Sequence, residues 1–122
     1  MRKIKVLLSS RPKLLSEVIR NLILNQPDME VVGEVIAPIE LLRAVGAIIA
    51  DVVIVTPLKA NGEPRICRLL LAAYPLLIIV TQSAAGEAAH LYKSGMRKKR
   101  LDDPSGQAIL VAIREAIRPA AG

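Results

Sequence analysis

Short apolar runs alternate along this chain with longer segments whose apolar residues recur every three or four positions, the mark of strands feeding helices. Residues 4–8, Ile-Lys-Val-Leu-Leu, read as a short buried strand. Behind it Ser10 caps a helix with Pro12 in its first turn and an apolar stripe of Leu14, Leu15, Val18, Ile19, Leu22 and Ile23, ending near Asn25. Pro27 and Asp28 turn the chain into a second strand over residues 29–35, with Gly33 inside it. Pro38 opens a second helix, in which Leu41, Leu42, Val45 and Ile48 recur at helical spacing. Asp51 begins a third strand over residues 52–55, and Pro57 ends it because proline has no amide hydrogen for the ladder. Asn61 and Gly62 mark the turn in the loop of residues 58–63.

Pro64 starts a third helix through Ile66, Leu69, Leu70 and Ala73, after which Pro75 resets the chain into a fourth strand over residues 76–80. Thr81, Gln82 and Ser83 then leave the sheet. Residues 87–93 read as a short fourth helix ended by Gly95, and residues 96–101 as the last strand. Ser105 caps a final helix with Ile109, Leu110, Ile113 and Ile117 turned inward. Five strand–helix units predict an α/β fold of flavodoxin-like type, a doubly wound sheet of five parallel strands in the order 2-1-3-4-5 with helices on both faces. Ligands of such sheets sit beyond the carboxyl ends of the strands, so function is sought there. Residues 1–122 are expected to form one domain, with 118–122 a tail or the start of a linker.

Composition supports layered packing: the 52% hydrophobic content is almost all Ala, Val, Ile and Leu, with no Trp, no Phe and only Tyr74 and Tyr92. The longest apolar stretches are broken at Tyr74 and Pro75 and fall short of the roughly 20 residues that span a bilayer. Arg2, Lys3 and Lys5 precede too short an apolar run for a signal peptide, and the expected location is cytoplasmic. The lone Cys67 cannot form an internal disulfide and reads as a small hydrophobe. Cys67 and the single His90 do not make a zinc site, which needs three or four protein ligands. The net charge of +6 allows attraction to nucleic acid, an anionic surface or an acidic protein without choosing among them.

Several segments carry a resemblance in their order and spacing: IKVLL entering a long helix, QPDMEVVGEV across the second strand, ADVVIV in the third, LLIIVT in the fourth and ILVAIREAI in the last helix. From Ile4 to Arg118 the chain resembles the CheY-like receiver domain of bacterial response regulators, especially receivers of two-component transcription factors. The resemblance implies a site where two acidic residues after the first strand help hold magnesium and an aspartate ending the third strand accepts a phosphoryl group in a phosphorelay. Here Ser9 and Ser10 replace the acid pair, and the phosphoacceptor position falls on Thr56. The family's hydroxyl at the end of the fourth strand matches Thr81, and its lysine near the end of the fifth matches Asp102, which inverts the charge. Neutral hydroxyls give magnesium little reason to bind, and a threonine cannot form an acyl phosphate. The expected function is therefore that of a pseudo-receiver, a signalling module in two-component or transcriptional regulation that is not phosphorylated on aspartate. No enzymatic activity and no cofactor are expected of it.

The predicted fifth strand departs further, because it carries Arg97, Lys98, Lys99 and Arg100 where the family has apolar residues and a switching aromatic. Lysines and arginines keep an exposed sheet edge from pairing with other chains, and they also form electrostatic footprints for a partner; a short or distorted strand is a third reading. The resemblance implies docking of a protein partner or a second copy through the fourth helix, fifth strand and fifth helix, with Tyr92, Arg97, Lys98, Lys99 and Arg100 as contact residues. The alternative is nucleic-acid binding by the basic 97–100 edge, which would lose affinity steeply with salt. Ser9, Ser10 and Arg11 at a helix start offer backbone donors to a small anion.

Overall fold

The computed structural model describes residues 3–9, 13–37, 40–56, 65–83, 88–94, 99–101 and 106–117. Six strands and four helices appear among them: β1 (Ile4–Ser9), α1 (Lys13–Leu24), β2 (Met29–Glu34), α2 (Leu41–Ile48), β3 (Val52–Val55), α3 (Arg65–Ala73), β4 (Ile78–Gln82), β5 (Ala89–Lys93), β6 (Lys99–Arg100) and α4 (Gly106–Ile117). The sheet order is β2-β1-β3-β4-β5-β6. The first four strands in that order are parallel, as the alternation of strands and helices implies, and β5 and β6 add to the edge in antiparallel sense.

Alternate residues of each strand enter two separate cores, because successive side chains of a strand point to opposite faces. Val6, Leu8, Val52, Ile54, Ile78 and Val80 pack with Ile19 and Ile23 of α1 and Ile109, Leu110 and Ile113 of α4. Leu7, Val53, Val55 and Ile79 pack on the other face with Leu41 and Val45 of α2 and Cys67 and Leu70 of α3. The helices thus divide two to a face, the doubly wound arrangement. Burying each of these aliphatic side chains stabilises the fold by roughly 1.5–3 kcal/mol. Between β1 and β2 the register shifts at Val6/Leu7, so that Val6 opposes Val31 and Leu7 opposes Gly33. A Cβ at position 33 would stand 3.1 Å from Leu7 Cδ1 and 3.2 Å from Ile48 Cδ1, so each would have to give by a few tenths of an ångström.

The edge beyond β4 corrects the sequence reading. Residues 87–93, expected as a fourth helix, include the strand β5, which pairs with β4 through Ile79 opposite Tyr92 and Val80 opposite Leu91. Consecutive Leu91 and Tyr92 are both buried, and each lies in a different core. A helix laid on one face of the sheet cannot send neighbouring residues to both faces, whereas a strand within the sheet does so at every step. The expected parallel strand over 96–101 is instead the two-residue β6, antiparallel to β5, with residues 96–98 outside the described residues. The fourth strand starts at Ile78 rather than Leu76, whose side chain is exposed. Among the described residues no helix is long and apolar enough to cross a membrane.

Candidate functional site

β1, β3 and β4 run parallel, so their carboxyl ends lie together along one rim of the sheet. Ser9 closes β1 opposite Val55 of β3, and Val55 is in turn opposite Thr81 of β4. The Thr56 amide donates to the Ser9 carbonyl at 3.0 Å, extending the β1–β3 ladder by one step. Three of the sequence-predicted site residues, Ser9, Thr56 and Thr81, are thereby brought to the same rim. All three are buried, at 1%, 4% and 3% exposure. Ser10 and Asp102, the other two, lie outside the described residues. Arg11 also does, so the anion contact expected there is outside them as well.

The buried polar side chains described at this rim, Ser9, Thr56, Thr81 and Gln82, are uncharged. The Ser9 Oγ is buried with no hydrogen-bond partner among the described residues, so it is not bonded to Thr56 or Thr81. The magnesium that a receiver fold implies requires anionic oxygens at close range. The hydroxyls of Ser9, Thr56 and Thr81 do not fit that ion, and no group of three or more His, Cys, Asp or Glu stands together among the described residues.

The register carries the row of rim residues further than sequence reasoning did. Thr81 is opposite His90 of β5, and His90 is opposite Arg100 of β6. Ser9, Val55, Thr81, His90 and Arg100 therefore form one line across five strands, on the sheet face that α2 and α3 cover. Sequence reasoning places His90 in the expected fourth helix and gives it no site role, because the stretch Ala-His-Leu-Tyr-Lys fits either period over five residues. Its signal was the alternation that places Ala89 and Leu91 on one side and His90 and Tyr92 on the other.

Tyr92, expected at the partner surface, is a core residue: it is 4% exposed and packs with Val53, Cys67, Leu70 and Ile79. An aromatic ring opposite Ile79 on an interior pair is covered by α3 rather than offered to a partner. Of the four clustered cations, Lys99 and Arg100 are exposed on β6, while Arg97 and Lys98 lie outside the described residues. Residues 89–93, expected within the fourth helix of that surface, form the strand β5 instead. Lys93 binds α4 to the sheet, its Nζ donating to the Ala116 carbonyl at 2.9 Å. Two open cavities lie elsewhere: one of about 530 Å³ bordered by Ile4, Asp51, Leu76 and Lys93, the other of about 740 Å³ bordered by Val35, Leu42 and Arg43. Neither includes a sequence-predicted site residue.

No protein-family model matches the chain, and no curated protein matches it in sequence. Among solved structures, the response regulator domain of Thermotoga maritima CheB superposes with a TM-score of 0.68 over 97% of this chain and 100% of that one, at 18% identity. The fold is that of a CheY-like receiver. At this identity the likeness speaks for the receiver architecture alone. Within that architecture the antiparallel β5 and β6 belong to this chain's own described edge.

Proposed function

We propose that this chain is a receiver-like signalling module that takes no aspartyl phosphate and works by docking a protein partner, or a second copy, along the β5–β6 edge and α4. The observation that carries the reading is the hydroxyl set Ser9, Thr56 and Thr81 at the carboxyl rim of a receiver fold. Phosphoryl transfer to a receiver needs a carboxylate nucleophile and a magnesium ion held by carboxylates, and buried hydroxyls supply neither. Without a phosphoryl charge there is nothing at this rim to drive a population shift, so the module is constitutive. The reading assigns it no reaction of its own and places it in two-component or transcriptional regulation.

Mass spectrometry after incubation with acetyl phosphate and magnesium tests this, alongside a beryllium fluoride titration followed by amide NMR. The expected outcome is no added phosphate and no resonance shift at Ser9 or Thr56. An acid-stable or acid-labile phosphate adduct, or saturable shifts at this rim, would show a working switch and end the reading.

A second reading is favoured by the exposed cations Lys99 and Arg100: nonspecific attraction to nucleic acid. It calls for duplex binding whose affinity falls steeply between low and physiological salt, as counterion release demands. Binding that is weak and indifferent to salt removes it.

A further inference from the structure

At the end of the sheet opposite the hydroxyl rim, an apolar knob and an apolar hollow lie side by side. The hollow is the cavity of about 530 Å³ that opens where the parallel strands begin, with Ile4 of β1 and Ile117 of α4 among its walls. Leu76 stands at its border and is 92% exposed. The turn that presents this leucine is pinned on both sides: the Leu77 amide donates to the Tyr74 carbonyl at 3.0 Å, Leu77 is buried, and the Tyr74 hydroxyl donates to the Leu42 carbonyl of α2. A scattered exposed leucine is ordinary, but one held beside an apolar hollow makes a continuous apolar patch. The same border carries both signs of charge, Lys3 and Lys93 with Asp51. Asp51 Oδ2 accepts the Lys5 amide at 2.9 Å and Lys93 Nζ donates to the Ala116 carbonyl, so both side chains are positioned there by the chain itself.

We infer that this end of the sheet is a contact between two copies of the chain related by a two-fold axis, with Leu76 of each copy seated in the hollow of the other. In such a contact residue i meets j while j meets i, so one surface must carry both members of every pair. This surface does: it sets knob beside hollow, and it sets Lys3 and Asp51 where each can face the other across the axis. A nucleic acid or an acidic protein would be met better by a border of one sign, and Asp51 repels either. Burial of the two leucines supplies the attraction, and the lysine–aspartate pairs fix the orientation. Because the turn is already ordered, seating Leu76 costs little conformational freedom. Each copy carries a net charge of +6, which opposes association and makes the dimer weak and concentration-dependent. The inference deepens the docking reading and rests on it, choosing the second copy and carrying the surface from β5 and α4 to the amino end of the sheet.

The test is sedimentation equilibrium of the full chain over a range of concentrations at physiological ionic strength, with isotope-filtered NMR on a mixture of labelled and unlabelled chains. A reversible monomer–dimer equilibrium is expected, with intermolecular NOEs from the Leu76 methyls to those of Ile4 or Ile117. Leu76→Ala should weaken the dimer about tenfold or more, because the two-fold counts each substitution twice, and should leave the thermal midpoint nearly unchanged at so exposed a position. Lys3→Glu should weaken it as well, by setting like charges together across the axis. Lys99→Gln, on β6, should leave it unchanged. A dimer indifferent to Leu76→Ala, or one without those NOEs, overturns the contact. Loss of the dimer on Lys99→Gln would move the contact to the β6 edge and overturn it too. A chain that stays monomeric at millimolar concentration overturns the self-contact and leaves docking of a different protein standing, whereas phosphate incorporation from acetyl phosphate ends the docking reading whatever the association.

Discussion

Arg114 of α4 grips both carboxylate oxygens of Asp28, Nε and Nη2 each donating at 2.9 Å, across 86 positions of sequence. The same Nη2 donates to Gln26 Oε1 at 2.6 Å, so the last helix is tied to the turn that launches β2. The guanidinium holds the Asp28 carboxyl below the usual carboxylate range. Because the folded pKa is depressed, the pair's contribution is present above the unfolded pKa and is lost as pH falls through the folded one. With side chains 32% and 37% exposed, solvent screening limits it to about 1 kcal/mol or less. Asp28→Asn should therefore lower stability in urea unfolding at neutral pH, and the gap should close once pH is well below the carboxylate range. A gap that persists in acid would show that the charge is not its source.

Gly46 and Tyr74 are matched in space. The Tyr74 hydroxyl donates to the Leu42 carbonyl at 2.6 Å, and a Cβ at position 46 would stand 2.6 Å from that hydroxyl. In an exposed helix Gly→Ala gains up to about 1 kcal/mol, but here it evicts a hydrogen bond worth about as much and moves the ring. Gly46→Ala is expected to destabilise the parent chain and to stabilise the Tyr74→Phe variant. Thermal denaturation of the four members of this cycle reads the reversal of sign; additive effects would refute the steric account.

At the rim, the Ser9 Oγ is buried without a hydrogen-bond partner among the described residues, a state that costs a hydroxyl its hydration. Ser9→Ala should be neutral or stabilising by about 1 kcal/mol in chemical denaturation. A clear loss of stability would mean that the hydroxyl is bonded in solution.

The correction at Tyr92 has its own test. Truncating a buried aromatic side chain typically costs about 3–5 kcal/mol, whereas surface changes stay within about 0.5 kcal/mol. Tyr92→Ala should lose most of the fold's stability and Lys99→Ala almost none, measured side by side by urea unfolding. Tolerance of Tyr92→Ala would return the ring to the surface and undo the assignment of β5.

Within the sheet, what pattern alone conveyed was everything set by local period over a sufficient length. The stripe from Leu14 to Ile23 sustains a helical period for nearly three turns, and α1 occupies it. Val52 to Val55 is apolar at every position, as a strand covered on both faces must be, and β3 has all four residues buried. The hydroxyls at Ser9, Thr56 and Thr81 were likewise legible, because a residue's place at the end of a strand follows once the strand is placed.

Beyond β4 the sequence by itself determined less. Five residues from Ala89 to Lys93 suit a helix or a strand equally, so the choice rested on whether two cores existed to receive Leu91 and Tyr92 on opposite sides. Only the assembled sheet offers both. The line from Thr81 through His90 to Arg100 was hidden for the same reason, since residues 9 and 10 positions apart become neighbours through antiparallel register, which no local period encodes. Sequence thus determined the α/β class, the parallel heart of the sheet and the neutral chemistry of its rim. Tertiary structure alone decided the sheet's far edge, where burial on two faces overrides the weak preference of a short segment.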